Sequence, residues 1–153
     1  DTRIKKVESG EYDGAVLAIA GLKTLNLQNY IQEIFPIKNF IPTAGQGIIA
    51  VQCRDNDEEI KNILKKINHN ETKICALAER NFLKTLGGDC DTAVGCHVIL
   101  NRDTLELNAQ LFSDDGEESF EQEINGKDID AFHIGKSVGE KLLLLAGSKF
   151  KKK

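Results

Sequence analysis

Leu105, Leu107, Ala109 and Leu111 alternate strictly with Glu106, Asn108 and Gln110. A period of two suits a strand that buries one face and wets the other. The same texture extends to both sides. Val98-Ile99-Leu100 precedes it across Asn101-Arg102-Asp103, and Phe120, Gln122 and Ile124 follow the turn at Ser113-Asp114-Asp115-Gly116. These signals predict three antiparallel strands joined by short turns. A closing helix is expected from about Asp128, with Ala131, Ile134, Val138, Leu142 and Leu145 on its buried face and Gly147 at its end. Antiparallel strands covered by helices on one face make a self-sufficient α+β domain, expected at residues 68–153.

The first part of the chain has a different grain. Residues 15–20 and 48–53 are apolar runs without alternation, the pattern of strands buried on both faces of an α/β unit. Residues 2–9 predict a short helix, Gly10-Glu11-Tyr12-Asp13-Gly14 a turn, and Gly21-Leu22 the opening of another helix. One strand is not a sheet, so its neighbours are expected upstream or in another chain. Pro36 and Pro42 bracket a connection, and Thr43-Ala44-Gly45-Gln46-Gly47 reads as a flexible crossing. Ile60, Ile63, Leu64 and Ile67 recur at helical spacing after Asp55-Asn56-Asp57, which predicts a capped amphipathic helix. A further helix carries the stripe Ile74, Leu77, Ala78, Phe82 and Leu86, with Asn68 and Glu71 in a capping relation and Gly87-Gly88 as its stop. The expected fold class is therefore α/β plus α+β.

A net charge of −4 and a pI near 5.4 argue against a nucleic-acid partner, which requires a basic footprint. They leave room for an anionic small molecule, because a few local cations can outweigh global charge. Among 20 basic residues only Arg3, Arg54, Arg80 and Arg102 offer the planar fork that clamps a carboxylate. The longest apolar runs, at residues 15–22 and 142–146, are too short to span a bilayer. With no export signal in view, a cytoplasmic compartment and reduced thiols are expected. The four cysteines, Cys53, Cys75, Cys90 and Cys96, match no common zinc spacing.

Cys90 lies in Leu86-Gly87-Gly88-Asp89-Cys90-Asp91-Thr92-Ala93-Val94-Gly95, on a loop between a helix and a strand. Loops held by rigid elements are where reactive groups concentrate. Flanking aspartates, however, raise a thiol pKa, so local chemistry also fits an ordinary loop cysteine. Ala44-Gly45-Gln46-Gly47 lacks the Lys-Ser/Thr of a phosphate loop and reads as a hinge. Asp55, Asp57, Glu58 and Glu59 suit the N-terminal charge bias of a helix better than a metal or acid–base site. His69, His97 and His133 are scattered and read as structural or exposed.

Taken together, Thr2-Arg3, Gly10-Glu11-Tyr12-Asp13, Leu17-Ala18-x-Ala20-Gly21-Leu22, Ala44-Gly45-Gln46-Gly47, Cys53-Arg54, Asn68-His69-x-Glu71-Thr72, Ala78-Glu79-Arg80 and the Gly88-x-Cys90 loop resemble the C-terminal half of the porphobilinogen deaminase (hydroxymethylbilane synthase) family. These blocks occur in family order and spacing across nearly the whole chain. The cysteine loop is the most specific, since the family's cofactor cysteine lies in an L-x-G-x-C-x-x-P-[IV]-[GA]-like segment.

The resemblance implies a three-domain protein about twice this length, with two periplasmic-binding-like α/β domains and a small third domain. Residues 1–41 would be the latter part of the second domain, 42–47 a hinge, 48–67 a segment returning to the first domain, and 68–153 the C-terminal domain. It implies a transferase of porphyrin and haem biosynthesis that condenses four porphobilinogen units head to tail, with loss of ammonia, into the linear tetrapyrrole hydroxymethylbilane. A dipyrromethane cofactor, held by the Cys90 thioether, would be the retained primer. Each incoming pyrrole would lose its amine to give an azafulvene electrophile that the growing chain attacks. The thiol would react once, during cofactor assembly, so the aspartates beside Cys90 matter less. Arg3 matches a family arginine that contacts pyrrole carboxylates, and Ala18, Gly21, Gln46 and Gly47 match positions lining the cofactor cleft.

Two residues depart from the family pattern. Thr24 stands where an arginine is usual, and Ala93 where the cysteine loop usually has proline. The resemblance also places the catalytic aspartate in the N-terminal half, which would be a required partner and without which this chain would be inactive. The residues themselves leave two other readings open. One is a non-catalytic anion-binding module in which Cys90 is incidental; the other is an interaction domain in which residues 70–153 carry the function.

Overall fold

The computed structural model describes residues 2–87 and 92–150. It divides into two compact units, Asp1–Pro36 and Ile37–Lys153. The first holds two short helices, α1 (Thr2–Glu8) and α2 (Ile19–Thr24), and a 3-10 turn at Gln28–Tyr30. No described residue in it is fully buried. Gly10, at φ +75°, turns the chain away from α1, and Lys6 secures that turn by donating to Glu11 at 2.7 Å and lying over the Tyr12 ring.

The second unit carries α3 (Glu58–Lys65), α4 (Asn70–Leu86), β1 (Val94–Asn101), β2 (Thr104–Phe112), β3 (Ser119–Lys127) and α5 (Ala131–Ala146). The strands form one antiparallel sheet in the order β1-β2-β3. Val98 pairs with Leu107 and Leu107 with Ile124, so the alternation in β2 sets the register of the whole meander. Leu105, Leu107, Ala109 and Leu111 are all at most 1% exposed, beneath α4 and α5. The three-stranded antiparallel sheet packed on helices is as expected.

Helix starts and stops follow local chemistry. Asp57 caps α3 by accepting from the Ile60 N–H at 3.1 Å, and Glu58 and Glu59 occupy its positive first turn. The capping relation expected at Asn68 belongs instead to His69, whose Nδ1 accepts from the Thr72 N–H at 3.3 Å. Gly87 ends α4 at φ +68°.

α5 crosses α4 very closely, and glycine makes that possible. A Cβ at Gly135 would stand 2.0 Å from the Ala78 carbonyl oxygen, and one at Gly139 2.8 Å from Thr85 Cβ. This crossing also decides which side chains are buried. The stripes run through Ala78, Phe82 and Leu86 on α4 and through Ile134, Val138, Leu142 and Ala146 on α5, in steps of four. Leu77 and Leu145, expected inside, lie one position off those stripes and are 45% and 54% exposed.

The two apolar runs read as strands are a clearer correction. Among the described residues neither residues 15–20 nor residues 48–53 form a strand; α2 begins at Ile19, and Ile49 is 91% exposed. A strand exists only as a member of a ladder, and β1-β2-β3 is the only ladder among the described residues. Apolar composition cannot supply the missing neighbour.

Gly135→Ala tests the helix crossing. Alanine favours an isolated helix over glycine by about 1 kcal/mol, yet here the overpacked methyl should destabilise the chain by about 1–3 kcal/mol net. The urea midpoint by far-UV circular dichroism should fall; an unchanged or higher midpoint would contradict the packing.

Candidate functional site

The outer edge of β1 is where loop, helix and strand converge. An edge strand presents unpaired N–H groups that need partners. Here three successive outward positions are covered. Cys96 N–H donates to the Pro42 carbonyl at 2.8 Å, Val98 N–H donates to Glu79 Oε1 at 3.1 Å, and Cys75 shares a hydrogen bond with the Leu100 backbone. Cys75 and Glu79 are four apart on α4, so one helix face serves the strand edge.

Glu79 does more than cap the edge. Its second oxygen, Oε2, accepts from the Gly45 N–H at 2.6 Å, and the side chain is buried, with the residue 4% exposed. Two N–H donors, one on each oxygen, match a carboxylate; an amide at the same place would turn an NH2 toward one of them. Burial pushes the Glu79 carboxyl above its ordinary range, opposed by the Gly45 and Val98 hydrogen bonds and by His97. Burial also raises the Cys75 thiol, with Glu79 adding to the effect, and raises the Cys96 thiol strongly. Neither thiol is set up as a nucleophile.

The loop that Glu79 holds is residues 43–48, closed by Gln46 N–H to Thr43 O at 3.0 Å and Ile48 N–H to Gly45 O at 3.1 Å. Gly45 and Gly47 sit at φ +80° and +81°, left-handed positions that glycine occupies without strain. Gln46 and Gly47 are exposed and line an open groove of about 320 Å³ with His69, Cys75, Glu79 and His97. The histidines read as scattered are thus partly gathered: His69 and His97 face one groove, while His133 stands edge-on to Phe132.

Of the residues singled out in the sequence, Arg3 is exposed on α1, Ala18 is exposed as the N-cap of α2, and Gly21 lies within α2. All three belong to the first unit. They flank, but do not line, its hollow of about 750 Å³, whose walls include Ile4, Val7, Val16, Leu22, Tyr30 and Phe35. A Cβ at Gly21 would meet nothing within 4 Å, so internal packing does not require glycine there. Thr24 turns its hydroxyl to the Ala20 carbonyl at 2.9 Å. Cys90 lies outside the described residues, in the segment between α4 and β1. Glu79 escaped the reading of individual residues, although Ala78-Glu79-Arg80 is one of the resemblance blocks. The one signal for it was an acidic residue beside the apolar stripe of α4.

Two family models match this chain. Residues 1–62 match "porphobilinogen deaminase, dipyromethane cofactor binding domain", and residues 73–144 match "porphobilinogen deaminase, C-terminal domain". The chain belongs to the porphobilinogen deaminase family. Among curated relatives, a porphobilinogen deaminase of Coxiella burnetii (strain Dugway 5J108-111) is 42% identical over 146 residues, 95% of this chain and 48% of that protein. One of Nitrobacter hamburgensis is 37% identical over 150 residues, covering 98% and 48%. One of Desulforamulus reducens is 38% identical over 149 residues, covering 97% and 48%. The chain spans about half the length of the curated relatives it matches. Arg3, Ala18, Gly21, Gln46 and Gly47 fall in the porphobilinogen deaminase cofactor-domain match, and Cys90 in the C-terminal match.

The raised Glu79 carboxyl has a signed consequence. The folded state holds its proton more tightly than the unfolded chain does. The group's stabilisation is therefore full below the ordinary glutamate range and is lost as pH rises through the raised folded value. Subtracting the unfolding free energy of Glu79→Gln from that of the parent should give a difference that falls with pH across this window. A difference that grows with pH would show that the two N–H bonds outweigh desolvation. At fixed neutral pH, the variant should be less stable by about 1–3 kcal/mol, for one buried N–H left facing a donor.

Proposed function

We propose that this chain is the C-terminal half of a porphobilinogen deaminase, acting with the remaining half of the protein to condense four porphobilinogen units into hydroxymethylbilane. The observation that carries this reading is the tiling of the chain by two matches from one family, in order, over residues 1–62 and 73–144. In the proposed domain map residues 1–41 complete one periplasmic-binding-like α/β domain, 42–47 form a hinge, 48–67 return to another, and 68–153 form the C-terminal domain. The exposed apolar runs at residues 15–20 and 48–53 support it, since strands that pair with the other half would look unpaired here. So do α3, whose Ile60 and Ile63 are exposed at 39% and 50%, and Ile67 just beyond it, exposed at 68%. The proposed location is the cytoplasm; among the described residues no helix is long and apolar enough to cross a membrane.

Cys90 is the proposed attachment point for dipyrromethane, which when bound supplies the free α-carbon that starts the chain. Residues within each unit, taken separately, suit such a group. Gly21 and Gly47 leave open space where a Cβ would stand, so a flat ring system can approach backbone. Arg3 is exposed on α1, and its guanidinium would fork onto an acetate or propionate carboxylate. Two of the other three thiols are poor alternatives on geometry: Cys96 is 1% exposed, and Cys75 is engaged with the β1 edge.

In the protein at the full length of its relatives, Cys90→Ser should abolish both the mass of bound dipyrromethane and turnover of porphobilinogen. Cys53→Ser, Cys75→Ser and Cys96→Ala should retain both; alanine is the control at 96 because a hydroxyl there would enter the apolar core. A fully active Cys90→Ser protein would end this reading. In the same protein Arg3→Lys keeps the charge and loses the fork. Affinity for porphobilinogen or the elongation rate should fall about ten- to a hundredfold, equivalent to about 1.5–3 kcal/mol, with little change in melting temperature. Unchanged kinetics would place Arg3 outside the site.

A further inference from the structure

We infer that Glu79 is a positioning residue for this chemistry: by accepting the Gly45 N–H it locates the 43–48 loop, and with it Gln46 and Gly47, against the helix that leads to Cys90. The inference rests on the proposed function and goes beyond it, since it concerns a residue that would touch neither cofactor nor substrate.

The loop is anchored at three points. At its base, Ile41 packs so closely on β1 that a Cβ at Gly95 would stand 2.8 Å from the Ile41 carbonyl oxygen. Next, Pro42 O accepts from Cys96 N–H at 2.8 Å. Both anchors precede the turn. The third is Gly45 N–H to Glu79 Oε2 at 2.6 Å, inside the turn itself. The turn keeps its own shape through the Thr43–Gln46 and Gly45–Ile48 hydrogen bonds, so Glu79 is not required to form it. What Glu79 sets is where the turn sits. The edge of β1 needs only one acceptor at Val98, and Oε1 supplies it at 3.1 Å. The second oxygen goes to the loop.

α4 holds the loop through Glu79 and leads in sequence to Cys90. Glu79 lies near its middle, and Cys90 follows its last residue, Leu86, by a few positions in sequence. A shift of the loop relative to α4 therefore displaces Gln46 and Gly47 relative to the helix that precedes the proposed attachment point in sequence. Misplacement of a reacting system by about 1 Å can cost on the order of a hundredfold in rate.

The test uses the full-length protein, with Ile134→Val as a control of modestly reduced stability in the core under α5, remote from the loop by sequence. Both are assayed well below their melting temperatures. Intact mass gives the fraction carrying dipyrromethane, and kcat and KM for porphobilinogen are then referred to loaded molecules. Glu79→Gln should lose about tenfold or more in kcat/KM per loaded molecule, the effect of one buried hydrogen bond, while Ile134→Val changes by less than about twofold. Should Glu79→Gln fail to fold, Glu79→Asp serves the same purpose, because one methylene less cannot span both donors. A loaded Glu79 variant with the kinetics of Ile134→Val would overturn the inference and leave the proposed function standing. A wild-type protein that carries no cofactor and consumes no porphobilinogen would remove the proposed function, and this inference with it.

Discussion

A carboxylate buried between a helix, a strand edge and a loop is an expensive arrangement, and in this chain three elements depend on it. Desolvating Glu79 works against its charged form, and donors directed at both oxygens, together with His97, oppose that. The donors are backbone N–H groups from Val98 and Gly45, each of which would itself be costly to leave unpaired. One side chain therefore satisfies the edge of β1, fixes the 43–48 loop and ties both to α4. The Pro42 carbonyl and the Cys75 thiol extend the same cover along the strand, and β1 keeps little free edge for a foreign strand to join.

Beneath that edge the core rests on close approach. The glycines in α5 lower its intrinsic helicity, yet they allow its backbone to lie on the Ala78 carbonyl and the Phe82–Thr85 turn. The close crossing brings Phe82, Leu86, Val138 and Leu142 into one core with the inner face of the sheet, where all are fully buried. Gly126 extends the pattern into β3, where a Cβ would stand 2.6 Å from Ile134 Cδ1. The Asp1–Pro36 unit has no comparable interior. Segments of that size rarely enclose a core unaided, and its Val16, Leu25, Ile34 and Phe35 remain exposed.

Legibility in the sequence followed the range of the interaction. Alternation in β2, the cap at Asp57 and the stop at Gly87 are local, and each was readable from a handful of residues. The apolar runs at residues 15–20 and 48–53 were readable as hydrophobic but not as strands, because strand formation requires a partner that the run does not encode. Leu77 and Leu145 were misassigned because hydrophobicity gives the approximate face of a helix, whereas the glycine crossing sets its centre. Glu79 was invisible by type, since a glutamate in a helix is ordinarily a solvated one; its burial depends on Gly45 and Val98, 34 positions earlier and 19 later. Cys90 is singled out only by family resemblance, because its flanking aspartates argue locally against a reactive thiol, and it lies outside the described residues.

Amide hydrogen exchange at Gly45 tests the clamp most directly. Gly45 lies in an otherwise largely exposed turn and would exchange rapidly without its bond to Glu79. The account predicts that the Gly45 amide exchanges slowly, on the scale of the Val98 amide in β1, and that Glu79→Ala releases both while Leu107 in β2 stays protected. A Gly45 amide that exchanges as fast as in an unfolded chain, with Val98 protected equally in parent and variant, would contradict it.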